Sequence, residues 1–106
     1  MSGAVKNGIN VVVCTVQGDI HDIGKNILVK VLQDYDYNVV DLGVNVPIGA
    51  LGDKVQELGV DRCVVCLSGL MSPSYDVMKE DIIKLHERFN GAARIVTGKQ
   101  IGRAHV

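Results

Sequence analysis

Short apolar runs alternate along the chain with polar, glycine-bounded loops and with stretches whose apolar positions recur every three or four residues. The runs are rich in Val and Ile and too short for helices, which is typical of strands. Because consecutive residues in them are apolar, both faces of each strand are expected to be buried, as in a parallel sheet. Strands are predicted over residues 9–15, 38–42, 62–68 and 93–97.

Three stretches between these strands have helical spacing, and we predict helices over residues 25–34, 47–58 and 75–89. Asp22 is available as the N-cap of the first helix, and Pro47 and Gly59 bound the second. In the first helix the apolar positions are Ile27, Leu28, Val31 and Leu32. In the third they are Val77, Met78, Ile82, Ile83 and Leu85.

The strict alternation of strands and helices predicts an α/β fold with one parallel sheet between helical layers. We expect a flavodoxin-like, Rossmann-like order 2-1-3-4 in a single domain over residues 1–106. Ligands of such sheets bind at the carboxyl ends of the strands where the strand order reverses, which here lies between strands one and three. The loops over residues 16–23 and 69–74 should therefore form the site.

Composition narrows the classes of partner. The net charge is -1, and the 11 Lys and Arg residues are spread along the chain, so no basic surface for nucleic acid or anionic lipid is indicated. No signal peptide and no apolar run of about 20 residues is present, so we expect a cytoplasmic protein without membrane contact. Cys14, Cys63 and Cys66 are interpreted as core residues, because Cys63 and Cys66 would point to opposite faces of a strand.

The loop after the first strand carries the candidate chemistry. Asp19 stands two residues before His21, and a metal-ligating His needs a bond from its other ring nitrogen to an acceptor such as a carboxylate. One His cannot hold a free transition metal, but it can be the axial ligand of a metal that a tetrapyrrole-type cofactor already chelates. Gly24 would let a bulky group approach the backbone. In the alternative interpretation, Asp19 and Asp22 are turn and cap residues and His21 is a surface residue.

Two motifs resemble those of the cobalamin-binding domains, in particular the modules of cobalamin-dependent methionine synthases. The first, Asp-x-His-x-x-Gly, comprises Asp19, His21 and Gly24. The second, Ser-x-Leu, comprises Ser68 and Leu70 after the third strand. The resemblance extends over nearly the whole chain and implies a corrinoid-binding, Rossmann-like domain.

The resemblance implies a role for each matching residue. His21 would be the lower axial ligand of cobalt in place of the cofactor's own dimethylbenzimidazole, the base-off/His-on form, with Asp19 and Ser74 as a ligand relay. Ser68 and Ser72 would line the pocket for the displaced nucleotide tail. In the alternative interpretation, Ser68, Ser72 and Ser74 are turn residues around Pro73. The residues expected to contact the corrin are Gly18, Asp19, Ile20, His21 and Asp22.

The chain departs from the family pattern at its carboxyl end. Where the family has a Gly-Gly pair after strand four, this sequence has Thr97 and Gly98, which puts a β-branched side chain near the expected path of the nucleotide tail. The sequence ends before the fifth strand and last helix of such a domain, so we expect a truncated domain or one completed by another chain. Association through the exposed edge of strand four is expected.

The function implied is that of a methyl carrier, a module of a methionine synthase-like corrinoid methyltransferase system in methionine biosynthesis. Methylcobalamin would be the cofactor form, and the partners would be methyl-donor and methyl-acceptor domains or subunits. Catalysis is not expected from this chain alone. The alternatives are a cobalamin sensor or storage module, the cofactor domain of a mutase, and a degenerate domain without cofactor. His86 and His105 are expected to be solvated.

Overall fold

Strands and helices alternate strictly along the chain. The computed structural model describes residues 8–99. In chain order the elements are β1 (Asn10–Val16), α1 (Ile23–Asp34), β2 (Asn38–Val46), α2 (Ile48–Leu58), β3 (Cys63–Gly69), α3 (Ser72–Arg88) and β4 (Arg94–Lys99), with a short 3-10 turn at Val60–Arg62. No helix within these residues is long and apolar enough to cross a bilayer. His105 lies outside the described residues.

The four strands form one parallel sheet in the order β2-β1-β3-β4, which confirms the predicted fold class and strand order. β1 is central and pairs with β2 and β3, and Thr15 near its carboxyl end is the register partner of Ser68. The ends of β1 and β3 are therefore neighbours. The loops that follow these two strands meet at this edge, as the switch in strand order requires.

Helices cover the two faces of the sheet unequally. α2 and α3 pack on one face, over a core that includes Val12, Leu67 and Leu85. α1 packs on the other, where Val11, Val13 and Val29 form a smaller cluster. Cys63 belongs to the first face and Cys66 packs on the second, so the two thiols are separated by the sheet as predicted.

The largest differences from the predicted boundaries are at the end of β2 and the start of α3. β2 continues beyond residue 42 to Val46, through an irregular register with β1. α3 begins at Ser72 because Pro73 sits in its first turn, where the missing N–H breaks no helical hydrogen bond, so the predicted loop over residues 69–74 is much shorter. Asp22 is at the N-cap position of α1, but its side chain makes no cap hydrogen bond.

The buried side of α1 differs from the apolar positions that predicted this helix. Ile27 is 61% exposed and Val31 46%, whereas Lys25 is only 3% exposed. The Lys25 ammonium lies 2.9 Å from the Asp41 carboxylate on β2, and this ion pair compensates the burial of its charge. A lysine thus takes a core position that periodicity alone would give to an apolar residue.

Candidate functional site

The carboxylate of Asp19 is the centre of the site. It is completely buried just after β1. Its Oδ1 accepts hydrogen bonds from the main-chain N–H of His21 at 2.9 Å and lies 2.7 Å from Nδ1 of the same residue. Its Oδ2 accepts from the Ser74 hydroxyl at 2.6 Å and from the main-chain N–H groups of Leu70 at 2.8 Å and Met71 at 3.3 Å. One carboxylate therefore joins the loop after β1 to the loop after β3.

These hydrogen bonds determine the protonation of the site. Burial alone would raise the pKa of Asp19, but the bonds from the Ser74 hydroxyl and from the N–H groups of His21 and Leu70 hold it well below its usual range. Asp19 is therefore ionised at neutral pH and can only accept, so Nδ1 of His21 carries the proton of this bond. In the neutral imidazole the lone pair is then on Nε2, and the half-exposed ring can offer that atom to a metal.

The junction of β3 and α3 is closed tightly around Asp19. A Cβ added at Gly69 would lie 2.9 Å from the Ser74 Cβ, 2.9 Å from the Met78 Cε and 3.3 Å from the Asp19 Oδ2. Only glycine lets the end of β3 approach α3 closely enough for Ser74 to reach the carboxylate. Gly69 was not predicted as a site residue, although its place inside the Ser-x-Leu motif could have suggested such a role.

Two further polar residues hold the backbone of the first loop, and neither was predicted from the sequence. The hydroxyl of Thr15, fully buried in β1, donates to the main-chain carbonyl of His21 at 3.0 Å. Asn45 contacts the loop at Gly18 and Asp19. The available signals were a hydroxyl in the apolar run VVVCTV and an amide directly before Val46 and Pro47.

The remaining predicted residues do not all converge. Ser68 is buried at the end of β3, on the α1 side of the sheet, and Ser72 is exposed at the start of α3. Thr97 pairs with Leu67 and, with Gly98, lines a groove of about 330 Å³ against α3. The side chains of Ser68 and Thr97 thus lie on opposite faces of the sheet.

Apolar side chains are exposed in the two loops of the site and at the start of α1. Ile20 is 72% exposed, Ile23 75% and Met71 45%. Gly24, in the first turn of α1, is half-buried. Within residues 8–99 no three His, Cys, Asp or Glu side chains converge to hold a metal ion. A single imidazole beside exposed apolar side chains fits a metal that arrives inside a large organic chelate.

A family model described as a B12 binding domain matches residues 9–101. The chain belongs to this family. Cobalamin is accordingly its cofactor, and the residues present fit it: His21 offers one oriented imidazole nitrogen, and the surrounding apolar side chains offer a surface for the corrin ring. His86, the other described histidine, is exposed on α3.

Relatives include two mycobacterial methionine synthases. Those of Mycobacterium tuberculosis and Mycobacterium leprae are each 38% identical to this B12-binding domain over 78 residues. The match covers 74% of this chain but only 6% of either enzyme. The chain is therefore related to one small part of these enzymes.

Three solved structures share the fold. A cobalamin-binding protein from Desulfitobacterium hafniense is 34% identical with a TM-score of 0.78, covering 87% of this chain and 44% of the other. A monomethylamine corrinoid protein from Methanosarcina barkeri is 25% identical with a TM-score of 0.76, covering 85% and 43%. A chain of the methanol:cobalamin methyltransferase complex from the same organism is 31% identical with a TM-score of 0.73, covering 93% and 45%. The B12-binding domain is thus related to methionine synthases and to corrinoid proteins of methyl transfer.

Proposed function

We propose that this domain carries a methyl group on cobalamin, with His21 as the lower axial ligand of cobalt. The observation that carries the proposal is the buried Asp19 carboxylate, which binds the Nδ1 side of the His21 ring and the Ser74 hydroxyl at the same time. Bound cobalamin supplies the cobalt that accepts and releases the methyl group. His21 would bind through Nε2, and Asp19 and Ser74 would fix the tautomer and the orientation of its ring.

Methyl transfer is favoured by the relatives, which include methionine synthases, a monomethylamine corrinoid protein and a methanol:cobalamin methyltransferase complex. We therefore propose methylcobalamin as the working form and methyl-donor and methyl-acceptor domains or subunits as partners. A methyl carrier must present its cofactor to other proteins. The exposed side chains of Ile20, Ile23 and Met71 support this proposal, because a corrin ring bound on them would lie at the surface of the domain. The edge of β4 is a second candidate contact surface.

Electron paramagnetic resonance of the protein loaded with cob(II)alamin tests the axial ligand. An axial nitrogen splits each cobalt line, into triplets for ¹⁴N and into doublets for ¹⁵N. In protein labelled with ¹⁵N-histidine, we expect the cobalt lines of the wild type to be split into doublets. The His86→Ala control should show the same doublets. His21→Ala should show no splitting from a histidine nitrogen. Triplets from labelled wild type would show that dimethylbenzimidazole stays on cobalt, which would refute the assignment of His21.

The methyl-carrier assignment is tested by titration with methylcobalamin and adenosylcobalamin. We expect methylcobalamin to bind about tenfold more tightly or better, a difference of about 1.4 kcal/mol. Tighter binding of adenosylcobalamin would favour the cofactor domain of a mutase. A protein that stays colourless after incubation with hydroxocobalamin would instead indicate a domain that has lost its cofactor.

A further inference from the structure

Asn45 makes a two-point contact with the loop that carries the proposed cobalt ligand. Its side-chain Oδ1 accepts a hydrogen bond from the main-chain N–H of Gly18 at 2.8 Å. Its own main-chain N–H donates to the carbonyl of Asp19 at 2.9 Å. The two contacts bracket the peptide that joins Gly18 to Asp19, so one residue of β2 restrains this peptide from both sides.

The local backbone explains why this position suits asparagine. Asn45 has a φ of 54° and Gly18 a φ of 90°, both in the left-handed region. Asparagine tolerates that region better than most residues with a side chain, and its short amide places an acceptor close to its own backbone. Glycine could adopt the same backbone but would offer no acceptor. The conformation and the acceptor are therefore both satisfied by one residue type.

The restrained peptide leads directly to the imidazole. Asp19 holds the His21 ring through Oδ1. The direction of the Asp19 side chain depends in turn on the backbone that Asn45 fixes. The carboxyl end of the loop is held separately, since the Thr15 hydroxyl binds the His21 carbonyl. We propose that Asn45 is a positioning residue for the axial ligand, which orients His21 through the Gly18–Asp19 peptide. This inference rests on the proposed function, because it assumes that His21 meets cobalt.

Asn45→Gly tests the inference, with Asn90→Gly as a matched control. Asn90 also has a φ of 54° but lies just after α3, so the control makes the same change in the same backbone conformation. Without corrinoid, we expect the Gly18 amide to exchange with solvent roughly fivefold faster in Asn45→Gly only, as for the loss of one hydrogen bond. With ¹⁵N-histidine and cob(II)alamin, we expect the histidine-ligated fraction to fall several-fold in that variant. Asn45→Asp keeps an acceptor and should therefore have the amide exchange rate and the histidine-ligated fraction of the wild type.

Failure of the inference is distinguishable from failure of the proposed function. If labelled wild type shows no histidine ligation, the proposed function is refuted at His21 whatever Asn45 does. If the wild type is histidine-ligated and Asn45→Gly matches Asn90→Gly in that fraction, Asn45 does not position the ligand. If Asn45→Asp loses ligation as completely as Asn45→Gly, the acceptor is not what matters and the inference is also overturned.

Discussion

At the scale of single residues, the site depends on a buried charge that is stabilised by donors from two loops. Ionised carboxylates are costly to bury, and each hydrogen bond to one contributes more than a bond between neutral groups. Asp19 therefore ties the orientation of His21 to the loop after β3 through Leu70, and to the first turn of α3 through Ser74. A change at Ser74 should affect stability and cofactor ligation together.

Ser74→Ala removes the 2.6 Å bond from the hydroxyl to Oδ2 of Asp19. We expect a loss of about 1.5–3 kcal/mol in the free energy of unfolding, as for a hydrogen bond to a charged group, and a smaller histidine-ligated fraction. The matched control is Ser72→Ala, which makes the same change at an exposed position of the same helical turn and should stay within about 0.5 kcal/mol of wild type. Urea unfolding measures the stability of both variants. Equal effects of the two variants would mean that the Ser74 hydroxyl does not stabilise the buried charge.

At the scale of elements, α3 carries a second buried carboxylate, on the side that packs against the sheet. Asp81 is 5% exposed and shares this side with Met78 and Leu85. The pKa of Asp81 is raised to about 6, mainly by burial, while the charge of Lys84 lowers it and that of Glu80 raises it. At a pH between the ordinary pKa of about 4 and this value, Asp81 holds a proton in the folded chain that it has lost in the unfolded chain.

The sign of the resulting pH dependence follows from this difference. The stability linked to Asp81 is fully present below about pH 4 and is lost as the pH rises through about 6, with a total loss of about 2–3 kcal/mol. Asp19 has a lowered pKa and acts in the opposite direction, only at acid pH. Asp81→Asn should remove the first effect, so its stability relative to wild type should rise between pH 4 and pH 8. Asp76→Asn, at an exposed position of the same helix, should show no such rise in the same unfolding titration.

Periodicity predicted the elements well, because strand and helix type follow from short-range patterns. On α3 it also predicted the buried residues Met78 and Leu85, but on α1 it did not identify the buried side, because periodicity does not detect a polar group that is buried with a partner. Lys25 is buried since Asp41, a residue of a different element, compensates its charge. The pairing of Asp19 with His21 was predicted from their spacing and Ser74 from the family resemblance, whereas Asn45 could be recognised only from its long-range contacts with Gly18 and Asp19.

At the scale of the whole molecule, the two faces of the sheet differ in how fully they are covered. Over residues 8–99, α1 is the helix on the face where Ser68 is buried, and Val96 on the same side of β4 is 56% exposed. Ile27 on α1 is also largely exposed. A nucleotide tail placed beside Ser68 would therefore meet a face that residues 8–99 cover incompletely, whereas the hydrogen bonds of Asp19 with His21 and Ser74 lie within these residues.

Cobalamin and cobinamide, which lacks the nucleotide tail, should therefore bind this chain with affinities that differ by less than about tenfold. Both ligands would use His21 and the exposed apolar surface beside it, and only cobalamin would use the face next to Ser68. Because a ligand in excess stabilises the folded state in proportion to the logarithm of its concentration divided by its Kd, the two ligands at equal concentration should raise the stability by amounts that differ by less than about 1.4 kcal/mol. Ser68→Ala should lower cobalamin affinity slightly and leave cobinamide affinity unchanged. Cobalamin binding a hundredfold more tightly than cobinamide would contradict this prediction, since it would require far more contacts with the tail than the face beside Ser68 offers.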